Sequence, residues 1–388
     1  MWECDKFSGI VSKFSEIERM ILLTSRIDYD EKMEGYVQKI IFQEKIAWNL
    51  FLGLVINHRV TGVICERIQN LERVPISVKR SLQFMLYSQI QRNACHKKEI
   101  TKVYDELEKG KIDYAFLKGA VLNFVYYSEG ERISNDTDVL VALNDLSKVI
   151  KICEKMGYVQ GHIENGEIVP ATKREIMFAQ LNTYETVPMI KKIGNPYLPF
   201  HEFDINFRLG NDDKGEMSKV MLKDTVIVGN SAFKLRTMSL ERFLIYLCIH
   251  LYREATMVYK IVRGDDLILY KFMDIHYFII SNQQKLLWEK LLKEAEALDR
   301  QKDVYYALYF TEELYPGTVG SEILKSFDML GKDFLNQYRG RDNSEEVYEW
   351  KLEFHERMFD DVSRIKEAKE NIAHENERYN SIREELKK

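Results

Sequence analysis

The stretch from Ile112 to Val141 constrains this chain more than any other. A short apolar run, Tyr114 to Leu117, ends in Lys118-Gly119. An apolar helix-like run follows from Ala120 to Tyr127, then a polar loop from Ser128 to Asn135. Asp136-Thr137-Asp138 then leads into the apolar strand pattern Val139-Leu140-Val141. Side chains alternate along a strand, so Asp136 and Asp138 point to one face and Thr137 and Val139 to the other. Two neighbouring carboxylates repel unless a cation lies between them, and oxygen ligands at this spacing suit Mg²⁺. Gly119 allows a close backbone approach, and a helix opening at Ala120 aims its first N–H groups at an anion. A metal beside an anion cradle is the layout for phosphoryl or nucleotidyl transfer. The competing reading is a solvated Asp-x-Asp turn after an ordinary strand end.

Around this stretch the pattern changes three times. Residues 1–110 read as a helical segment, in which Ile41, Trp48, Phe51, Leu52 and Val55 recur at helical spacing. His58 extends that apolar face and reads as a packed or surface histidine, not a ligand. Residues 111–230 read as the core. There Asp145 or Asn144 is placed to cap a helix whose stripe is Leu146, Val149, Ile150, Cys153 and Met156, with Gly157 closing it. Within it, residues 161–209 read as mostly β, with Ile176–Tyr184 and Thr186–Lys191 as strand candidates. Residues 231–340 return to helix, and 341–388, rich in Glu, Lys and Arg, read as one long charged C-terminal helix. Asp274, in an apolar setting, is left three options: pairing with Lys271, pairing with Arg253, or no partner.

The third acid comes from Phe200–Phe207. Phe203, Ile205 and Phe207 alternate with Glu202, Asp204 and Asn206, so the acids share a face. An acid between apolar neighbours on a strand is costly to bury unless it is paired or binds metal, and Asp204 is the central candidate. The alternative is a solvent-exposed polar face of an antiparallel sheet.

Composition narrows the class of partner. The 388 residues carry a net charge of −5, which argues against long nucleic acid as the main partner. At 45% hydrophobic and 30% charged, the chain reads as folded and globular. Its five cysteines are scattered without a Cys-x-x-Cys pair, so neither structural zinc nor a disulfide framework is expected, and a reducing cytoplasmic setting is. The densest apolar stretch, Ala47–Ile56, is too short to span a bilayer, and no signal peptide opens the chain.

With these parts placed, the chain resembles the uncharacterised nucleotidyltransferases of the DNA-polymerase-β-like superfamily. The resemblance rests on Leu117-Lys118-Gly119, Arg132, Asp136-Thr137-Asp138-Val139-Leu140-Val141, Gly157-Tyr158, Asp204-Ile205-Asn206, His250 and Asp274, and covers roughly residues 40–280. It implies an α+β fold: a polymerase-β-like mixed sheet with helices, flanked by N- and C-terminal helical segments. It implies that Asp136, Asp138 and Asp204 are catalytic and bind Mg²⁺ (or Mn²⁺). Lys118, Gly119, Ala120 and Arg132 would face a nucleoside triphosphate such as ATP. Ala120 stands where many superfamily members have Ser, and Asn206 where this branch often has His. Three functions compete on this basis. The first is transfer of a nucleoside monophosphate from an NTP to an unknown acceptor, a small molecule or a protein. The second is a nucleotide-binding regulatory module without turnover, and the third a metal-independent hydrolase. For Arg132, pairing with a nearby acid is an equal alternative to a role on phosphate.

Overall fold

A computed structural model of the chain describes residues 10–210, 213–340 and 346–371. Residues 341–345 and 372–388 of the expected C-terminal helix, and the first nine of the N-terminal segment, lie outside them. The described chain is α+β and divides into two compact units, residues 88–243 and residues 10–87 with 244–371.

Among the described residues the first five α-helices are α1 (Glu16–Thr24), α2 (Glu31–Gln43), α3 (Trp48–Asn57), α4 (Thr61–Ile68) and α5 (Ile76–Gly110). Local chemistry sets their starts. Ser15 and Glu18 form a reciprocal capping box on α1, and the Asp30 side chain accepts from Met33 N on α2.

The sheet-bearing unit follows: β1 (Tyr114–Phe116), α6 (Lys118–Val125), β2 (Thr137–Val141), α7 (Leu146–Lys155), β3 (Val159–Glu164), β4 (Glu167–Pro170), α8 (Lys173–Asn182), β5 (Met189–Asn195), β6 (Leu198–Asn206), α9 (Glu216–Met221), β7 (Val226–Gly229) and β8 (Lys234–Thr237). Six strands form one mixed sheet in the order β1-β2-β6-β5-β3-β4, and β7 and β8 form a separate hairpin. The β2–β6 pair is parallel and the other pairs antiparallel. Val139, Phe203 and Ile205 are fully buried on one face of the sheet, as the alternation requires. Leu146, Val149 and Cys153 bury the stripe of α7, and Gly157 ends that helix at a φ of 87°. The α7 cap differs from expectation: Asp145 makes no side-chain cap bond, and its carboxylate accepts from Asp113 N instead.

The chain ends in α10 (Leu240–Thr256), α11 (Val258–Val262), α12 (Leu269–Asn282), α13 (Trp288–Ala297), α14 (Gln301–Leu314), α15 (Ser321–Lys325), β9 (Gln337–Arg339), β10 (Val347–Glu349), α16 (Phe354–Phe359) and α17 (Asp361–Asn371). In this unit the two chain segments are stitched by buried polar contacts. Ser25 Oγ lies 2.9 Å from Tyr315 Oη, and Leu269 N donates to His58 Nδ1 at 3.1 Å. His58 is therefore a core acceptor, its imidazole pushed down to about 3 by burial and then by Arg364. Arg364 and Asp266 form an ion pair at 3.0 Å with both side chains inaccessible. Lys271 is bonded to Glu254 at 2.6 Å.

Three element expectations change. Ile176–Tyr184 is mostly helix, because Thr172 and Glu175 form a capping box that nucleates α8, and the β-like run of apolar residues is its exposed face. Lys234–Thr237 is a strand within the stretch read as helical. In the described part of 341–388 the chain is not one helix. Val347–Glu349 pairs with β9, and Glu353 starts a new helix with a capping box to Glu356.

Candidate active site

The site is built where β1, β2 and β6 run side by side. Phe116 is paired with Val139, and Leu117 N donates to the carbonyl of Asp138 at 3.0 Å. This bond anchors the turn from β1 into α6 beside the acid pair. The turn is tight: Lys118 takes a φ of 39°, a left-handed value that costs a β-carbon-bearing residue about 1–2 kcal/mol. From it the Lys118 ammonium reaches Asp138 Oδ1 at 2.8 Å. On the far side of β2, Asp138 is in direct register with Asp204 of β6. In a parallel pair, residues in register present their side chains to the same face. Asp138 and Asp204, some 66 positions apart by their numbers, thus become neighbours. Asp136 sits in the bend just ahead of β2.

Asp136 and Asp204 feel the acids around them. Burial, then Asp138, pushes the Asp136 carboxyl up to about 6, with Lys118 opposing. Burial, then Asp136, Asp138 and Glu185, pushes Asp204 well above the carboxylate range, again with Lys118 opposing. Asp204 Oδ1 and Asn206 Nδ2, on the same face of β6, are buried with no hydrogen-bond partner among the described residues. Three carboxylates with an orphaned oxygen among them are the donor chemistry that a hard divalent cation takes. Among the described residues, no three His, Cys, Asp or Glu side chains are grouped so as to hold a metal ion as they stand. At Asp138 the ammonium of Lys118 holds the oxygen.

The glycine turn is filled by the chain itself. A Cβ on Gly119 would lie 1.7 Å from Ser134 Oγ and 2.7 Å from Arg132 Nη1. Arg132 is buried, and its Nη1 donates to Asn123 Oδ1 at 2.6 Å and to Ser134 Oγ at 2.7 Å. Asn93 Nδ2 in turn donates to the Arg132 carbonyl at 2.8 Å. This nitrogen of Arg132 is turned inward, onto the loop that packs against Gly119. Ala120, fully buried, donates its N–H to the carbonyl of Leu117 at 3.1 Å.

Three residues that the sequence did not single out complete the surroundings. Arg92 of α5 donates to the carbonyls of Ser134, Asn135 and Tyr197, which pins the loop leading to Asp136. Glu185, bridged to Asn206, adds a fourth acid near Asp204. On the opposite face, His201 lies 2.9 Å from Thr137 Oγ1 and 2.6 Å from Tyr158 Oη, with its imidazole held well below its ordinary range by burial. No local pattern marks Arg92 or Glu185, because each reaches the site through strand and helix packing. His201 stands in phase with Phe203 and Ile205 along the strand, on the same face. His250 and Asp274, part of the resemblance, belong to α10 and α12 in the helical unit.

The structure thus places an acid pair on adjacent parallel strands, with the Lys118-Gly119 turn beside it. The family model described as uncharacterised nucleotidyltransferase matches residues 44–316. The chain belongs to that family. No curated protein and no solved structure matches it. Among the described residues, no helix is long and apolar enough to cross a membrane.

Proposed function

We propose that this protein transfers a nucleoside monophosphate from an NTP to an acceptor hydroxyl, on a small molecule or a protein, using a polymerase-β-like arrangement of its sheet. The observation that carries the reading is the register of Asp138 with Asp204, with Asp136 in the bend just ahead of β2 and Lys118 reaching in from the β1–α6 turn. Asp136, Asp138 and Asp204 would hold Mg²⁺ or Mn²⁺. Bound there, the ions would lower the pKa of the acceptor hydroxyl and offset charge on the phosphates. Asp204 orients the acceptor side and takes up its proton, a role that suits a carboxyl raised by its neighbours. Lys118 and the start of α6 at Gly119 and Ala120 face the triphosphate. Arg132 serves that end indirectly, by holding Ser134 against Gly119.

The test is incubation with each α-labelled NTP, Mg²⁺ and a cell extract, following the label into an acceptor. The expected result is a labelled species that forms with wild-type protein and not with Asp204→Asn. A second reading, a nucleotide-binding module without turnover, is favoured by one observation: Ser134 and Arg132 pack into the space beside Gly119 where close ligand approach was expected. Nucleotide binding with no label transferred to any acceptor would decide for it.

A further inference from the structure

The register of β2 against β6 decides which side chain stands beside Asp138, and alternation alone does not fix it. A shift by one residue would turn the apolar side chains of β6 away from the core, so burial excludes it. A shift by two keeps Phe203, Ile205 and Phe207 facing the same way, yet sets Glu202 or Asn206, not Asp204, beside Asp138. Some other contact has to choose among registers of equal phase, and the buried face of the sheet carries one. Thr137 is paired with Phe203, and its Oγ1 lies 2.9 Å from Nε2 of His201, two residues earlier on β6. Nδ1 of the same ring lies 2.6 Å from Oη of Tyr158, just ahead of β3. All three side chains are buried. Held at both nitrogens, the ring cannot turn to follow a shifted strand. Its surroundings keep it neutral: burial comes first, then His96 of α5, Lys191 of β5, and Arg92 and Lys102 of α5. Glu99, the acid nearby, is bonded to Lys102 and Lys191. A neutral imidazole has one donor and one acceptor nitrogen, enough to serve one hydroxyl on each side. A shift by two residues would part Thr137 from His201 and leave a buried hydroxyl and a ring nitrogen without each other, at the cost of their desolvation.

We infer that His201 and Thr137 are positioning residues, a register lock on the buried face of the sheet that makes Asp204 the residue beside Asp138. The lock itself follows from the sheet; its part in the reaction rests on the transferase reading above. Neither side chain touches substrate. Thr137 acts through the backbone of β2, which carries Asp138 on the opposite face, and His201 acts through Thr137. A buried polar contact spends stability on specifying one pairing among several, the role in which such contacts are best attested.

The experiment joins methyl NMR of the full chain to the label-transfer assay. Val139 and Ile205 are in register, so contact between their methyl groups reports the pairing directly. Thr137→Val keeps the side-chain shape and removes the hydroxyl. It should weaken the Val139–Ile205 methyl contact and lower label transfer about tenfold or more, the scale of one buried hydrogen bond, with the KM for NTP within a few-fold. Thr137→Ser, which returns the hydroxyl, should restore both. A folded Thr137→Val with the wild-type methyl contact overturns the inference, whatever its turnover. Loss of the contact with turnover unchanged upholds the lock and overturns its part in the reaction. If Thr137→Val does not fold, wild type decides: the ¹⁵N imidazole signals of His201 at neutral pH should be those of a single neutral tautomer, and a charged ring or one averaging over two tautomers overturns the lock. If wild type transfers no label, the transferase reading falls, while the methyl contact and the ring signals still decide the lock.

Discussion

Gly119 and Ser134 are packed so closely that a single added carbon on residue 119 would lie 1.7 Å from the Ser134 hydroxyl. The turn carrying Lys118 and the loop leading to Asp136 are therefore one packed assembly, locked by Arg132 and Asn123. Gly119→Ala should lower stability by about 1–3 kcal/mol, the scale of overpacking a tight site. Ser134→Ala should not rescue it, because the Ser134 Cβ would itself be 2.8 Å away. Urea denaturation of the single and double variants checks this, and full rescue by Ser134→Ala would contradict it.

Asp204 and the Asp136–Asp138 pair should separate in function. Asp204→Asn should keep Mg²⁺–NTP affinity within a few-fold and lower turnover by about a hundredfold or more, the scale for losing a general base. Asp136→Asn with Asp138→Asn should weaken metal-dependent nucleotide binding itself. Calorimetric titration paired with label transfer distinguishes the two. Equal losses of binding in both variants would remove the assignment of Asp204 to the acceptor side.

Acid should affect stability and binding in opposite directions. The Asp136 carboxyl is raised to about 6 from an unfolded value of 3.8, so between these values the folded state binds more protons. Its contribution is unfavourable above pH 6 and is relieved as pH falls toward 4. Asp136→Asn should thus stabilise the metal-free protein at pH 8 by on the order of 1 kcal/mol, with the advantage fading near pH 4. Metal-dependent nucleotide binding should weaken as pH falls through about 6, because the carboxylate protonates. Thermal melts and titrations across pH 4–8 measure both. A variant advantage that grows toward acid would reverse the sign and reject the account.

In the helical unit, the Asp266–Arg364 pair is inaccessible on both sides, and burial pushes the Asp266 carboxyl up despite its partner. Desolvation and pairing are then closely opposed. Arg364→Met alone should cost about 3–5 kcal/mol, because it strands a buried carboxylate. Asp266→Leu with Arg364→Met should recover most of that loss. Denaturant midpoints of the three proteins test the claim, and a double variant no better than the single would show that the arginine acts through its other contact, the Arg357 carbonyl.

Alternation along β2 and β6 was enough to set Asp138 against Val139, and Asp204 with Asn206 on one face, whereas Asp136, expected on the strand beside Asp138, falls in the bend ahead of β2. It also separated Phe203 and Ile205 toward the core, since a strand has a period of two wherever it occurs. The Lys-Gly turn before α6 and the α7 stripe ending at Gly157 were legible for the same reason: turn and helix geometry act over a few residues. The family resemblance lay at this level too, in short patterns in a fixed order. The tertiary structure decided which strand lies beside which. Nothing local in Phe200–Phe207 says that it inserts next to β2, parallel and in register at Asp138 with Asp204. That choice is made by burying both faces of a sheet at once, a condition on distant segments jointly. The same condition brings Arg92 of α5 onto the loop before Asp136, Glu185 toward Asp204, and the Lys118 ammonium onto Asp138. Ile176–Asn182 is different: there a local signal, the capping box of Thr172 and Glu175, makes a helix with an exposed apolar face where the apolar run favoured a strand. The three acids were written in the sequence; the register of Asp138 with Asp204, and the Lys118 ammonium on Asp138, belong to the fold.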